Sequence, residues 1–204
     1  MTLHIPLAAL LTFFAWMLPV HSVVAQEAPL GTTMPLTERS MSQADGSSVT
    51  LAELQGNNAT VLLFWSNQCP WTERYEGRVE ALVNEFRTQG ISFVFVNSND
   101  PAAYPQESRE SSLQYLQNSR LDVAYVMDDE STLAEQLGAS RTPHAFVFDE
   151  NNRLVYVGSI DDSPGDPGNV ERQYLRDALQ ALLNDAAVEV AKTKGFGCTI
   201  RFHQ

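Results

Sequence analysis

The stretch TVLLFWS at residues 60–66 is a continuous apolar, β-rich run. A strand of this kind has no face suited to water, so it belongs at the centre of a sheet covered on both sides. It demands a layered domain with helices to cover it. From Pro70 onward, Trp71, Tyr75, Val79, Leu82, Val83 and Phe86 recur at helical spacings of three and four, and Gly90 closes the segment. A second buried strand follows at 91–100, then a helix at 108–119, a strand at 122–128 and a short helix at 130–138 closed by Gly138. HAFVFDENNRLVYVGS reads as two strands joined at Asn151–Asn152, and 170–184 as an amphipathic helix. Upstream, residues 36–51 carry two short strands around Asp45–Gly46, and Leu51–Leu54 form one helical turn. Alternating strands and helices imply a parallel centre, and the late hairpin adds an antiparallel edge. The expectation is one α/β domain, a mixed central sheet flanked by helices, with an N-terminal β-hairpin.

Of the 204 residues, 44% are hydrophobic and 19% charged, enough for a sizeable core. The net charge of −12 argues against a nucleic-acid partner, which would need clustered cations. No Asp, Glu, Lys or Arg precedes Glu27, and the apolar run Ile5 to Val20 ends in a small-residue pattern at Val23–Val24–Ala25. Residues 1–25 therefore read as a signal peptide, making the protein periplasmic or secreted with no stable membrane insertion after cleavage. An uncleaved N-terminal membrane anchor is the rival, but the run is shorter than the roughly 20 residues a spanning helix prefers. Residues 26–35 form a polar leader, 36–185 the domain, and 186–204 a tail carrying Cys198 with no evident place in the core.

Two cysteines, Cys69 and Cys198, lie beyond the apolar segment, and an oxidising compartment permits them one disulfide. Cys69 leaves the strand-like run just before Pro70, which suits a first helical position. A thiolate there is stabilised by the amides and dipole of a helix N-terminus. An inert buried thiol is the alternative. Redox-active pairing with Cys198, a purely structural disulfide and no pairing all stay open at this point. Pro143 in RTPHAFVF precedes an apolar strand and marks its start. His144 reads as a surface residue at that strand's beginning. A metal site built from Cys69, Cys198 and His144 lacks a metal-type local spacing, so no metal is expected. Phosphate-loop, zinc-protease and serine-hydrolase motifs are absent, and no cofactor is expected. The acidic DDSPGD at 161–166 reads as a solvated turn.

Several dispersed stretches add a resemblance: NQCPW (67–71), VNSND (96–100) with AYPQES (103–108), DDE (128–130), LGASRTP (137–143), LVYVGSIDDS (154–163) and GFGCTIRF (195–202). In this order they resemble the thioredoxin-like superfamily, and within it a peroxiredoxin-like branch of the redoxin (alkyl hydroperoxide reductase and thiol-specific antioxidant) group. The resemblance implies a thioredoxin-like fold, with a nucleophilic Cys69 facing a cis-proline at Pro143 across a small groove. Trp71, Thr72 and Thr142 complete that groove. It implies thiol-dependent oxidoreductase chemistry on protein or small-molecule thiols and disulfides, or on peroxides, with a reducing partner protein. A dithiol thioredoxin would have its second cysteine at Thr72, and a true peroxiredoxin would have its peroxide-reacting cysteine there. Cys198 then becomes the candidate resolving cysteine of a thiol–disulfide oxidoreductase. The alternatives are a thiol peroxidase and a non-catalytic redoxin-fold binding module with a structural disulfide.

Overall fold

The structure is a computed structural model that describes residues 26–203. The signal peptide expected at 1–25 lies outside the described residues. Among those described, no helix is long and apolar enough to cross a membrane.

The apolar run becomes β3 (Ala59–Phe64), and every one of its six residues is buried. It is central because it pairs on both edges: parallel with β4 (Ile91–Asn97) and antiparallel with β7 (His144–Asp149). β4 in turn pairs in parallel with β5 (Ala124–Met127), and β7 with β8 (Leu154–Gly158) in the expected hairpin. The N-terminal hairpin, β1 (Ser40–Gln43) and β2 (Ser48–Thr50), joins antiparallel to β5 and completes a seven-stranded mixed sheet of order β2-β1-β5-β4-β3-β7-β8.

Alternation along β3 sends its side chains to two cores. Val61, Leu63 and Trp65 join Tyr75, Val79, Leu82 and Phe86 of α1 (Pro70–Phe86) and Leu175, Ala178 and Leu179 of α4 (Tyr174–Leu183). Part-buried Leu113, Tyr115 and Leu116 of α2 (Arg109–Asn118) pack on the same side. Leu62 and Phe64 point to the other face, under Leu133, Ala134 and Leu137 of α3 (Thr132–Leu137) and Ile200 of the tail.

The helix boundaries follow local chemistry. Gly90 and Gly138 take the left-handed conformation that closes a helix, at φ 74 and φ 67. α3 begins later than the pattern at 130–138 because Glu130 and Ser131 also lie at positive φ. The buried Asp128 carboxylate accepts the amides of Leu133 and Ala134, each at 2.9 Å, and so caps α3. α4 starts at Tyr174, after an extended approach tied down by Leu175 N to Ile160 O at 3.0 Å.

The polar leader is docked to the domain. Ala28 and Met34 are buried, and their amides reach Leu137 O and Asn152 O, each at 2.9 Å. The turn at 161–166 departs from its solvated reading at Asp161, which is buried. Its carboxylate accepts Tyr75 Oη at 2.7 Å and Arg78 Nη1 at 2.6 Å, so α1 holds this loop against the sheet end.

Candidate functional site: a cysteine pair at a helix mouth

The polypeptide leaves β3 through Trp65 and Ser66, and Cys69 becomes the cap residue of α1, with extended backbone (φ −73, ψ 119) and Pro70 at the first helical position. That geometry places the sulfur at the amide-rich end of a 17-residue helix. On the facing side, the Thr142–Pro143 peptide bond is cis. The Cys69 sulfur stands 3.1 Å from the Thr142 carbonyl oxygen. As a disulfide sulfur it has no proton to donate, so this is a contact; a reduced Cys69 thiol would make it an S–H···O bond.

Cys69 is bonded to Cys198, with Cα atoms 5.9 Å apart across a sequence separation of 129. The tail reaches the site as a strand. β9 (Cys198–Thr199) pairs antiparallel with β6 (Arg141–Thr142), Cys198 opposite Thr142. The rest of the tail is fastened along its length. Thr193 N bonds Val157 O at 3.0 Å, Ile200 N bonds Ser140 O at 3.0 Å, and Asp100 N bonds Arg201 O at 2.8 Å. Two glycines make the close approach feasible. A side chain on Gly197, at φ 136, would overlap the Thr142 carbonyl, and one on Gly195 would press within 3.1 Å of the His144 ring.

The remaining expected groove residues divide. Trp71 is half-buried at the site and packs edge-on against Phe196 of the tail, with ring centroids 4.7 Å apart. Thr142 and Pro143 form the wall opposite Cys69. Thr72 is buried, its hydroxyl proton shared between the carbonyls of Ser66 and Cys69, each at 2.7 Å. It braces the first turn of α1 from inside and presents no surface to a substrate.

Sequence reasoning missed two parts of the surroundings. The first is Glu107, a buried carboxylate beneath the loop that delivers Cys69. It accepts Ser66 Oγ at 2.5 Å, the Asn67 amide at 3.0 Å and Asn97 Nδ2 at 2.9 Å. Asn67 then accepts Tyr125 Oη at 2.7 Å and donates to Ser112 Oγ at 2.9 Å. These bonds hold the cysteine loop rigidly. Nothing in the local pattern distinguishes Glu107 from an ordinary exposed glutamate near a helix start.

The second is His144. Its place at a strand start suggests the surface, yet it is 0% exposed because the tail lies over it, and neither ring nitrogen has a hydrogen-bond partner among the described residues. Burial pushes its imidazole down to about 4; the Glu27 carboxylate, 3.5 Å away, pulls upward, while Lys192 and Arg141 oppose protonation. The unfolded chain then binds this proton more readily than the folded one, at an ordinary value of 6.5. Stability should therefore fall as pH drops from about 6.5 towards about 4, by about 2–3 kcal/mol at pH ~4.5 from this residue alone. Urea unfolding of the wild type and of His144→Leu at neutral and acidic pH measures it. The variant should lose that much less on acidification, and equal losses would contradict a buried neutral imidazole. Among the described residues, no group of three or more His, Cys, Asp and Glu is placed to hold a metal ion.

A helix-capping cysteine opposite a cis-proline that opens a strand of a mixed sheet defines a thioredoxin-like protein. The chain belongs to the AhpC/TSA family, whose sequence profile matches residues 26–157. It is similar to a hypothetical protein from Sinorhizobium meliloti 1021, with 30% identity and a TM-score of 0.80 over 87% of this chain and 97% of that one. It is 27% identical over 113 residues to the thiol-disulfide oxidoreductase ResA of Halalkalibacterium halodurans. That match covers 55% of this chain and 60% of ResA, less than two thirds of the relative's length. Peroxidoxin BcpB from Mycobacterium tuberculosis shares the fold, at 19% identity and a TM-score of 0.58 over 76% of this chain and 96% of that one. Cys69 and Pro143 fall inside the family match, and Cys198 lies beyond it.

Proposed function

We infer that this protein is an exported thiol–disulfide oxidoreductase in which Cys69 is the nucleophile and Cys198 the resolving cysteine. The pairing of the two sulfurs at the mouth of α1, beside Thr142–Pro143, carries the reading. Reduced Cys69 attacks a substrate disulfide as a thiolate, forming a mixed disulfide and expelling one substrate thiolate. Cys198 then attacks the Cys69 sulfur, releases the second substrate thiolate and regenerates the observed bond. Substrates are protein or small-molecule disulfides, and a thiol-bearing reducing partner restores the dithiol. The similarity to ResA supports this chemistry. Export rests on the apolar segment without charged side chains that precedes Glu27.

A thiol peroxidase would share Cys69 but oxidise it to a sulfenic acid before Cys198 condensed with it. Disulfides are the favoured substrates, because the position where a peroxiredoxin keeps its reacting cysteine is the buried Thr72. Reduced protein should be oxidised by a small disulfide such as cystine, with release of two thiols per chain. Oxidation by hydrogen peroxide should be slower than by the disulfide at equal concentration. The opposite order would assign the protein to peroxide chemistry. Failure to react with either would leave a binding module stapled by a structural disulfide.

A further inference from the structure

We propose that electrons enter this protein at Cys198 and leave it at Cys69, so that the reducing partner attacks the tail cysteine and never the helix-capping one. The proposal rests on the redox reading above and adds which sulfur each partner meets.

Four observations point the same way. The first is access: Cys69 is only 3% exposed, whereas Cys198 is half-buried, beside the exposed Thr199 and two residues after Phe196, which is 42% exposed. Among the described residues β9 has a single strand neighbour, β6, so one side of Cys198 has no described strand beside it. The second is repulsion. The Thr142 carbonyl oxygen stands 3.1 Å from the Cys69 sulfur, and its lone pairs repel a thiolate that comes close to that atom. The third is the leaving group. Thiol–disulfide exchange runs faster when the departing sulfur is the more acidic one. A Cys69 thiolate departs into the amide-rich end of α1, whereas Cys198 sits on a two-residue strand with no such support. The fourth is charge. The chain carries −12 overall, yet the tail that holds Cys198 also carries Lys194 and Arg201, besides Lys192, which is paired with Glu27 at 2.8 Å. Arg141 of the paired strand reaches across to Thr199 Oγ1 at 2.7 Å. A thiolate is drawn to this edge.

The step balances as follows. A donor thiolate forms a bond to the Cys198 sulfur, the Cys69–Cys198 bond breaks, and its electron pair stays on Cys69 as a thiolate. A second thiol of the donor attacks the donor's own sulfur in the mixed disulfide, leaving Cys198 as a thiol and the donor oxidised to a disulfide. Two electrons pass from donor to protein. Once the bond is open, β9 is held to β6 by only two residue pairs, Thr142–Cys198 and Arg141–Thr199. Local opening of these two pairs uncovers Cys69 and the Thr142 edge for the substrate disulfide, while the bonds that fasten Thr193 and Arg201 to the domain stay in place. The two half-reactions then use separate sulfurs and separate surfaces.

The test uses the oxidised full chain and glutathione as the probe thiol. Reaction is stopped with acid at the earliest accessible times, and the glutathione adduct is located by peptide mass mapping. Adduct on Cys198 should exceed adduct on Cys69 by about tenfold or more, as access and leaving-group acidity both favour it. In denaturing urea the preference should collapse, because it comes from the fold. Adduct mainly on Cys69, or equal on both, would overturn the proposal, as would a Cys198 preference that persists undiminished in urea. A native disulfide that takes up no glutathione at all would instead overturn the redox reading on which the proposal stands.

Discussion

Cys69→Ser should abolish disulfide exchange, lowering the rate of substrate reduction by about a thousandfold or more. A serine hydroxyl at the mouth of α1 does not ionise near neutral pH and cannot form the mixed disulfide. The surviving Cys198 cannot replace it, since its strand lacks the helix-end stabilisation that makes Cys69 a good thiolate. Stopped-flow measurement of the reduced variant against cystine, beside reduced Cys198→Ser, separates the two sulfurs. Cys198→Ser should keep the first, bimolecular step and accumulate a stable mixed disulfide on Cys69. If Cys69→Ser reacted at the wild-type rate, the nucleophile would have been wrongly assigned.

Opening the Cys69–Cys198 bond should destabilise the fold by about 4–5 kcal/mol in the chain-entropy model, because the bond closes a very long loop. The sequence separation of 129 puts four of the seven strands of the main sheet, β4, β5, β7 and β8, and all four α-helices inside that loop. The two-layered core should nevertheless keep the reduced chain folded at neutral pH. Urea unfolding of oxidised wild type and of Cys198→Ser should therefore give two cooperative transitions, the variant's midpoint lower by about 2 M for a domain of this size. An unfolded variant would mean that the disulfide, and not the core, maintains the fold. Such a protein could not cycle through a dithiol state.

The sheet and helices were legible because burial writes itself into local pattern. The unbroken apolar run at β3 announced a strand covered on both faces, and the three-and-four spacing after Pro70 announced α1. Pro70 and the polar exit of β3 likewise located Cys69 at a helix mouth. Local pattern left open the contacts made by the tail, whose Cys198 was pointed towards Cys69 by the family resemblance alone. Gly195, Gly197 and Cys198 carry no periodicity, since they follow the surface of the cis-proline loop and obey no repeat of their own. His144 was misplaced for the same reason: as the first residue of β7 it would be open to solvent if the tail did not cover it. Asp161 and Glu107 were hidden by their type, since acidic residues are seldom buried. Arg78 and Tyr75, which hold Asp161, and Ser66 and Asn67, which hold Glu107, lie far away in sequence.

The central claim is that the Cys69–Cys198 bond opens and closes as part of a reaction. The most direct measurement equilibrates the full chain with mixtures of reduced and oxidised dithiothreitol, traps free thiols with an alkylating agent and counts them by mass while circular dichroism follows the fold. Both cysteines should titrate together as one reversible two-electron couple, with native circular dichroism throughout. A bond that resists reduction until the protein unfolds would contradict the claim and make the disulfide a structural staple.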